Sequence, residues 1–177
     1  MAGLVPAIHV FGRLCYEVVD ARDIGEQSDA VLRPAILGHD DGVIMNPDAD
    51  LQPPFADFLG IKITHVSPDK ITAELAARED LTNRNGTLHG GAVMALADNL
   101  GGTATMASLP QGGRTATIES KTNFFAVVPA GDTAYAECTA LHKGRTTMVW
   151  QTRITRGDGK LCALVTQTQI VILPGKD

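Results

Sequence analysis

From residue 54 onward, the hydrophobic residues follow two patterns, one typical of strands and one typical of a helix. Residues 132–142 alternate strictly between small apolar and more polar side chains, and residues 145–156 place Met148, Trp150 and Ile154 on one face. Similar patterns predict further strands over 60–66, 70–77, 114–126 and 160–172. Residues 90–107 are instead apolar nearly throughout and predict one helix, about 27 Å long at a rise of 1.5 Å per residue. This order of elements favours an α+β fold.

The short connections between these elements indicate an antiparallel sheet. Ser67-Pro68-Asp69 joins the first two strands with turn-forming residues, which predicts a hairpin. Gly101 and Gly102 each cost about 1 kcal/mol against Ala inside a helix, so they predict close backbone contact with the sheet or with a partner. Because the helix is apolar nearly all round, we expect it to be buried along most of its surface, with the sheet curled around it.

The first part of the chain, residues 1–53, shows no sustained period and ends at the Pro53-Pro54 boundary. Residues 1–50 hold 9 acidic and 3 basic side chains, whereas the remainder is close to neutral, and the net charge of the chain is −5. We therefore predict a weakly ordered or loosely docked N-terminal extension over 1–53 and one organised domain over 54–177.

Composition argues against several functional classes. The chain contains no block of basic residues that would indicate nucleic-acid binding, and no apolar stretch approaches the roughly 18 residues of a membrane span. The three cysteines form no CxxC pair, so we expect neither a zinc site nor a disulfide framework but a reducing, cytoplasmic setting. The first basic residue, Arg13, follows the apolar start of the chain, the reverse of a secretory signal.

Asp98 is the only charged residue between Arg84 and Arg114, and it lies in the middle of the predicted helix. A buried carboxylate is costly unless something pairs it or uses it, because desolvation disfavours its ionised form. Asp98 is therefore a candidate for catalysis. A buried Asp that only bonds a threonine or a backbone group explains the pattern about equally well.

His89-Gly90-Gly91 lies where the loop becomes the helix. The first N–H groups of a helix have no partner within the helix and form the positive end of its dipole, so a carbonyl or an oxyanion held there would be stabilised. Glycine leaves room for a substrate atom to approach this backbone. Glycines that merely cap or pack the helix end are the simpler alternative.

The spacing of Gly90 and Asp98 sets a limit on how they act together. Eight residues correspond to roughly 12 Å along a helix, so one Asp does not easily reach a carbonyl bound at the start of its own helix. If both residues act on one substrate, they belong to different subunits, whose helices run antiparallel at a two-fold interface.

The segment Asn83–Gly91, which reads NRNGTLHGG, is followed by Asp98-Asn99 and resembles the hotdog-fold thioesterases of the phenylacetate-pathway (PaaI-like) type. The resemblance extends over about residues 54–172 and includes Thr117-Ile118-Glu119 and Gly144-Arg145. It implies a hotdog fold, in which a curved antiparallel sheet wraps around one long central helix. It also implies a homodimer or homotetramer that assembles through sheet edges.

The resemblance further implies an acyl-CoA thioesterase that releases a free acid and coenzyme A. The Gly90 N–H, helped by the Asn83 side chain, would polarise the thioester carbonyl, and Asp98 of the partner subunit would act as nucleophile or general base. Thr117 falls where the family has a hydroxyl residue that helps to hold the water or the carboxylate. His89 would order the loop or support Asn83.

The substrate-binding residues implied by the resemblance are Gly91 beside Gly90, and Lys143, Gly144 and Arg145, a basic turn that would meet the phosphates of coenzyme A. Coenzyme A is part of the substrate, and this chemistry requires no cofactor or metal. One alternative is a non-catalytic acyl-CoA sensor or regulatory module on the same fold. Another is a hotdog hydratase or dehydratase, which would use an Asp–His pair on one substrate.

Overall fold

The computed structural model describes residues 52–174. Their elements, in chain order, are α1 (Pro54–Leu59), β1 (Lys62–Val66), β2 (Lys70–Ala76), a 3₁₀ turn (Glu79–Leu81), α2 (Gly90–Ser108), β3 (Arg114–Phe124), β4 (Thr133–Lys143), β5 (Thr147–Thr155) and β6 (Leu161–Ile172). Every predicted strand and the long helix are confirmed, with ends that differ by up to two residues. The predicted extension over 1–53 lies outside the described residues except for its last two, so the division into extension and domain stays a prediction.

The strands form one curved antiparallel sheet in the order β1-β2-β4-β5-β6-β3. The predicted hairpin of β1 and β2 is confirmed. β3 lies at one edge and pairs along its length with β6. Its register shifts between Thr117 and Glu119, which is a bulge of the kind that redirects side chains at sheet edges. The α+β hotdog architecture is thus confirmed.

The core lies between the sheet and one side of α2. Leu96 and Leu100 from the helix are fully buried, as are Trp150 and Ile154 from β5. The Trp150 indole N–H donates to the Thr105 hydroxyl at 2.8 Å, so even the polar atom of this large side chain is satisfied. The alternation predicted for the strands is therefore what places their apolar side chains against α2.

The sheet covers one side of α2. Nine of its 19 residues are buried, whereas Gly91, Met94 and Asp98 are exposed, and Gly102 has open space where a side chain would lie. The small Ala and Gly residues of α2 occur on the covered and the uncovered side alike. Within the described residues, no helix is both long and apolar enough to cross a membrane.

Candidate active site

The loop before α2 holds the start of the helix in place. Two isolated bridges, Thr82↔Leu88 and Thr87↔Pro129, pin the loop to its surroundings, and Gly86 takes the left-handed conformation with φ of +68°. His89 is the N-cap of α2, because its Nδ1 accepts a hydrogen bond from the Gly91 N–H at 2.9 Å. His89 therefore orders the start of the helix and, within the described residues, makes no hydrogen bond to Asn83.

Gly90 lines a cavity of about 390 Å³, here called the Gly90 cavity. The N–H groups of the next three residues all bond to His89, whereas that of Gly90 has no acceptor within residues 52–174. An added Cβ at this position would lie 3.3 Å from the Phe124 ring, so glycine keeps the approach open. A free donor at the first turn of a helix suits a polarised carbonyl or an oxyanion.

Asn83 supplies a second donor to this cavity. Its Oδ1 accepts hydrogen bonds from the Asn85 N–H at 2.9 Å and from the Thr87 hydroxyl at 3.2 Å, which fixes the amide. The Nδ2 group has no acceptor in the described part of the chain. The rest of the cavity is largely apolar: Phe124 and Phe125 are 54% and 59% exposed and line it. They are better explained as cavity walls than as sheet core.

Asp98 is exposed, and the expectation that it is buried is wrong. It lies on the uncovered side of α2, beside the edge strand β3. Its Oδ1 accepts two hydrogen bonds, from the Thr117 hydroxyl at 2.8 Å and from Gln167 Nε2 at 2.9 Å. Its Oδ2 accepts none from the described residues. The carboxylate is thus held by one oxygen, and Asp98 lines a cavity of about 280 Å³, here called the Asp98 cavity.

Sequence reasoning missed Gln167 and Gln169, which are 1% exposed and lie behind this carboxylate on β6. Gln167 Nε2 and Gln169 Nε2 both donate to the Thr117 hydroxyl, at 3.1 Å and 2.8 Å. The signal was present in the sequence: two glutamines at alternate positions of a β-branched strand lie on one face of it, here the core face.

The predicted site residues do not meet in one cavity of a single chain. Thr117 lines the Asp98 cavity, whereas Gly90 lines the Gly90 cavity. His89 and Gly91 face a third cavity, of about 240 Å³, next to α1. The structure therefore brings Thr117 to Asp98 as predicted, but keeps Asp98 and the Gly90 N–H apart.

The basic turn predicted to bind phosphates lies away from the Gly90 cavity of its own chain. The turn borders β6 at Ile170, seven residues from Ala163 in the cavity wall, or roughly 23 Å along an extended strand. Lys143 is engaged locally, since its Nζ pairs with Asp69 Oδ1 at 2.7 Å. The binding roles of Lys143, Gly144 and Arg145 stay predictions.

Comparisons with known proteins agree on one family. The sequence profile of the Thioesterase superfamily matches residues 85–163. A 1,4-dihydroxy-2-naphthoyl-CoA hydrolase of Listeria monocytogenes is 32% identical over 107 residues, which cover 60% of this chain and 85% of the relative.

Solved structures give the same result. A thioesterase of Haemophilus influenzae is 30% identical with a TM-score of 0.64, over 67% of this chain and 82% of that one. A mutant of the phenylacetic acid degradation protein PaaI of Thermus thermophilus is 28% identical with a TM-score of 0.62, over 67% and 98%. The resemblance to PaaI-like proteins is therefore confirmed, and the chain belongs to the thioesterase superfamily as a hotdog-fold thioester hydrolase.

Proposed function

We propose that the protein is an acyl-CoA thioesterase whose active site is built from two copies of the chain. In this composite site, Gly90 and Asn83 of one copy bind the thioester carbonyl, and Asp98 of the second copy drives hydrolysis. The observation that carries the proposal is the Asp98 carboxylate, which has one oxygen fixed by two donors and the other bare at a cavity. A thioester hydrolase needs such a group together with an oxyanion site.

Two copies are invoked because one chain separates the two groups. Gly90 and Asp98 line different cavities and lie roughly 12 Å apart along the axis of α2. Both must come within about 3 Å of one carbonyl for the reaction to proceed. Two α2 helices running antiparallel across a two-fold axis meet this requirement and create two such sites per dimer.

The reaction balances by either of two routes. As a general base, Asp98 takes a proton from water while the water oxygen bonds to the carbonyl carbon. The tetrahedral oxyanion rests on the Gly90 N–H and then collapses, the C–S bond breaks, and the thiolate of coenzyme A takes up the proton that Asp98 received, which restores the carboxylate. As a nucleophile, the carboxylate itself attacks the carbon and expels the thiolate, and water then hydrolyses the resulting anhydride and restores Asp98.

A coenzyme A thioester is proposed as the substrate because the Listeria relative is named for one. The acyl group would occupy the Gly90 cavity, where Phe124 and Phe125 offer an apolar surface beside the carbonyl-binding donors. Arg145 on the basic turn would meet the phosphates of the nucleotide. Coenzyme A leaves as a product, so no separate cofactor is invoked.

Thiol release from a panel of acyl-CoA thioesters tests this function. We expect Asp98→Asn to lower kcat by at least about 10²-fold while the fold is retained, because the neutral amide is neither a base nor a nucleophile. Asp57→Asn, which neutralises an exposed carboxylate on α1, is the matched control and should leave turnover unchanged. Tight acyl-CoA binding by the wild type without any turnover would overturn the proposal in favour of a sensor.

A further inference from the structure

We propose that Gln167 and Gln169 are positioning residues that fix the rotation of the Asp98 carboxylate and so leave Oδ2 for the reaction. The inference rests on the proposed function and extends it to two residues that touch neither substrate nor water in the reaction. They act through Thr117 and through the Oδ1 atom of Asp98.

The direction of the Thr117 hydrogen bond follows from its partners. A hydroxyl has one hydrogen and two lone pairs. Both lone pairs of Thr117 Oγ1 are taken, by Gln167 Nε2 at 3.1 Å and by Gln169 Nε2 at 2.8 Å. The single hydrogen must therefore go to Asp98 Oδ1, which lies 2.8 Å away. The Thr115 hydroxyl beside Gln169 donates its own single hydrogen to the Ile170 carbonyl, which lies at 2.7 Å, nearer than Gln169 Oε1 at 3.0 Å.

Two donors on one oxygen fix the rotation of the carboxylate, so that Oδ2 is the oxygen left for chemistry. A carboxylate held at one oxygen by Thr117 and Gln167 is thus pre-oriented before substrate arrives.

A contribution to the stability of the fold does not explain why a glutamine occupies position 167. The side chain is 1% exposed and its Oε1 has no hydrogen-bond partner. A buried polar atom without a partner costs about 1–3 kcal/mol, whereas Met fills a similar volume at no such cost. The structure also reserves space for this amide, because a Cβ at Gly101 would lie 2.7 Å from Oε1.

Few ionisable groups lie on the elements that surround Asp98. It is the only ionisable residue of α2, and β6 carries none from Ala163 to Ile172. β3 contributes Arg114, Glu119 and Lys121, all of which are exposed. Because none of the three changes in the variants below, a lower kcat reports on the lost donor.

The test is the split between kcat and KM in Gln167→Met. Loss of a charge-assisted hydrogen bond predicts a roughly 10- to 100-fold lower kcat, with KM within about twofold of wild type. Thr152→Val, which removes another fully buried polar group of the core, is the control and should change neither kcat nor KM.

Gln169 supplies a second, independent test because it reaches Asp98 through Thr117 alone. Gln169→Met should lower kcat in the wild-type background but have no further effect on Thr117→Val, which is the non-additivity expected of one network. Equal losses in both backgrounds, or an unchanged kcat in Gln167→Met, would overturn the positioning role. If Asp98→Asn itself kept full activity, the proposed function would fail instead.

Discussion

At the scale of single residues, the Gln167 amide fits against α2 because residue 101 has no side chain. A Cβ on Gly101 would lie 2.7 Å from Gln167 Oε1 and 2.9 Å from Nε2. We expect Gly101→Ala to displace the amide from Asp98 and so to lower kcat. We also expect the free energy of unfolding to fall by about 1–3 kcal/mol, the usual cost of an over-packed core. Thermal unfolding and thiol release from one preparation measure both effects.

The neighbouring glycine provides the matched control. A Cβ on Gly102 meets nothing within 4 Å in the described part of the chain. Because Gly102 lines the Asp98 cavity, the control concerns stability alone. Ala is favoured over Gly by about 1 kcal/mol inside a helix, so Gly102→Ala should leave the free energy of unfolding unchanged or raise it. If Gly101→Ala behaved in the same way, contact with the amide would be unimportant. A destabilised Gly102→Ala would indicate that the α2 helix of the second copy packs directly against residue 102.

Sequence reasoning selected Asp98 for the wrong physical reason. Its isolation among uncharged residues indicated a special role, but the structure shows an exposed carboxylate. Helix periodicity assigns a buried side only where large apolar and polar residues segregate, and α2 is rich in Ala, Gly and Thr all round. The contacts from Gln167 and Gln169 join residues about 50 and 70 positions apart, which no local pattern predicts.

At the scale of elements, His89 is the N-cap of α2 rather than a group facing either Asp98 or the Gly90 cavity. Removal of a capping side chain costs about 0.5–2 kcal/mol, so His89→Ala should unfold at a lower temperature. Because the Gly90 N–H depends on the position of this first turn, kcat should fall as well. His89→Asn retains a capping side chain and should restore both stability and turnover.

The pair of variants separates capping from proton transfer. Asparagine can cap a helix but cannot exchange a proton near neutral pH. Thermal unfolding reports on capping, and thiol release reports on turnover. If His89→Asn were as stable as wild type yet as inactive as His89→Ala, a chemical role for the imidazole would replace the capping role.

The strands were predictable because each carries its own alternation and ends in turn residues. Their order was not, because pairing joins distant segments: β3 pairs with β6 rather than with its neighbour in sequence. That pairing is what places Thr117 beside Gln169 and hence beside Asp98. The helix start was predictable for the same local reason as the strands, since the glycines and the capping residue are adjacent in sequence.

At the scale of the whole molecule, the composite site predicts that two inactive variants restore activity when they are combined in one dimer. Asp98→Ala removes the carboxylate, and Gly90→Pro removes the backbone N–H. Proline is well suited to this first helical position, and His89 before it already has the extended conformation that proline requires, with φ of −63° and ψ of 138°. Each variant alone should be inactive by thiol release.

Mixing the two variants should restore activity. A dimer with one chain of each kind contains one site in which Asp98 and the Gly90 N–H are both intact, and one site in which both are lost. Random exchange makes half of the dimers mixed, so about a quarter of wild-type turnover is expected. Gly90→Ala keeps the N–H but places a Cβ 3.3 Å from the Phe124 ring, so as a control it should retain part of the activity without being mixed with another variant. Inactivity of the mixture after verified subunit exchange would show that Gly90 and Asp98 do not act on one carbonyl across a two-fold axis.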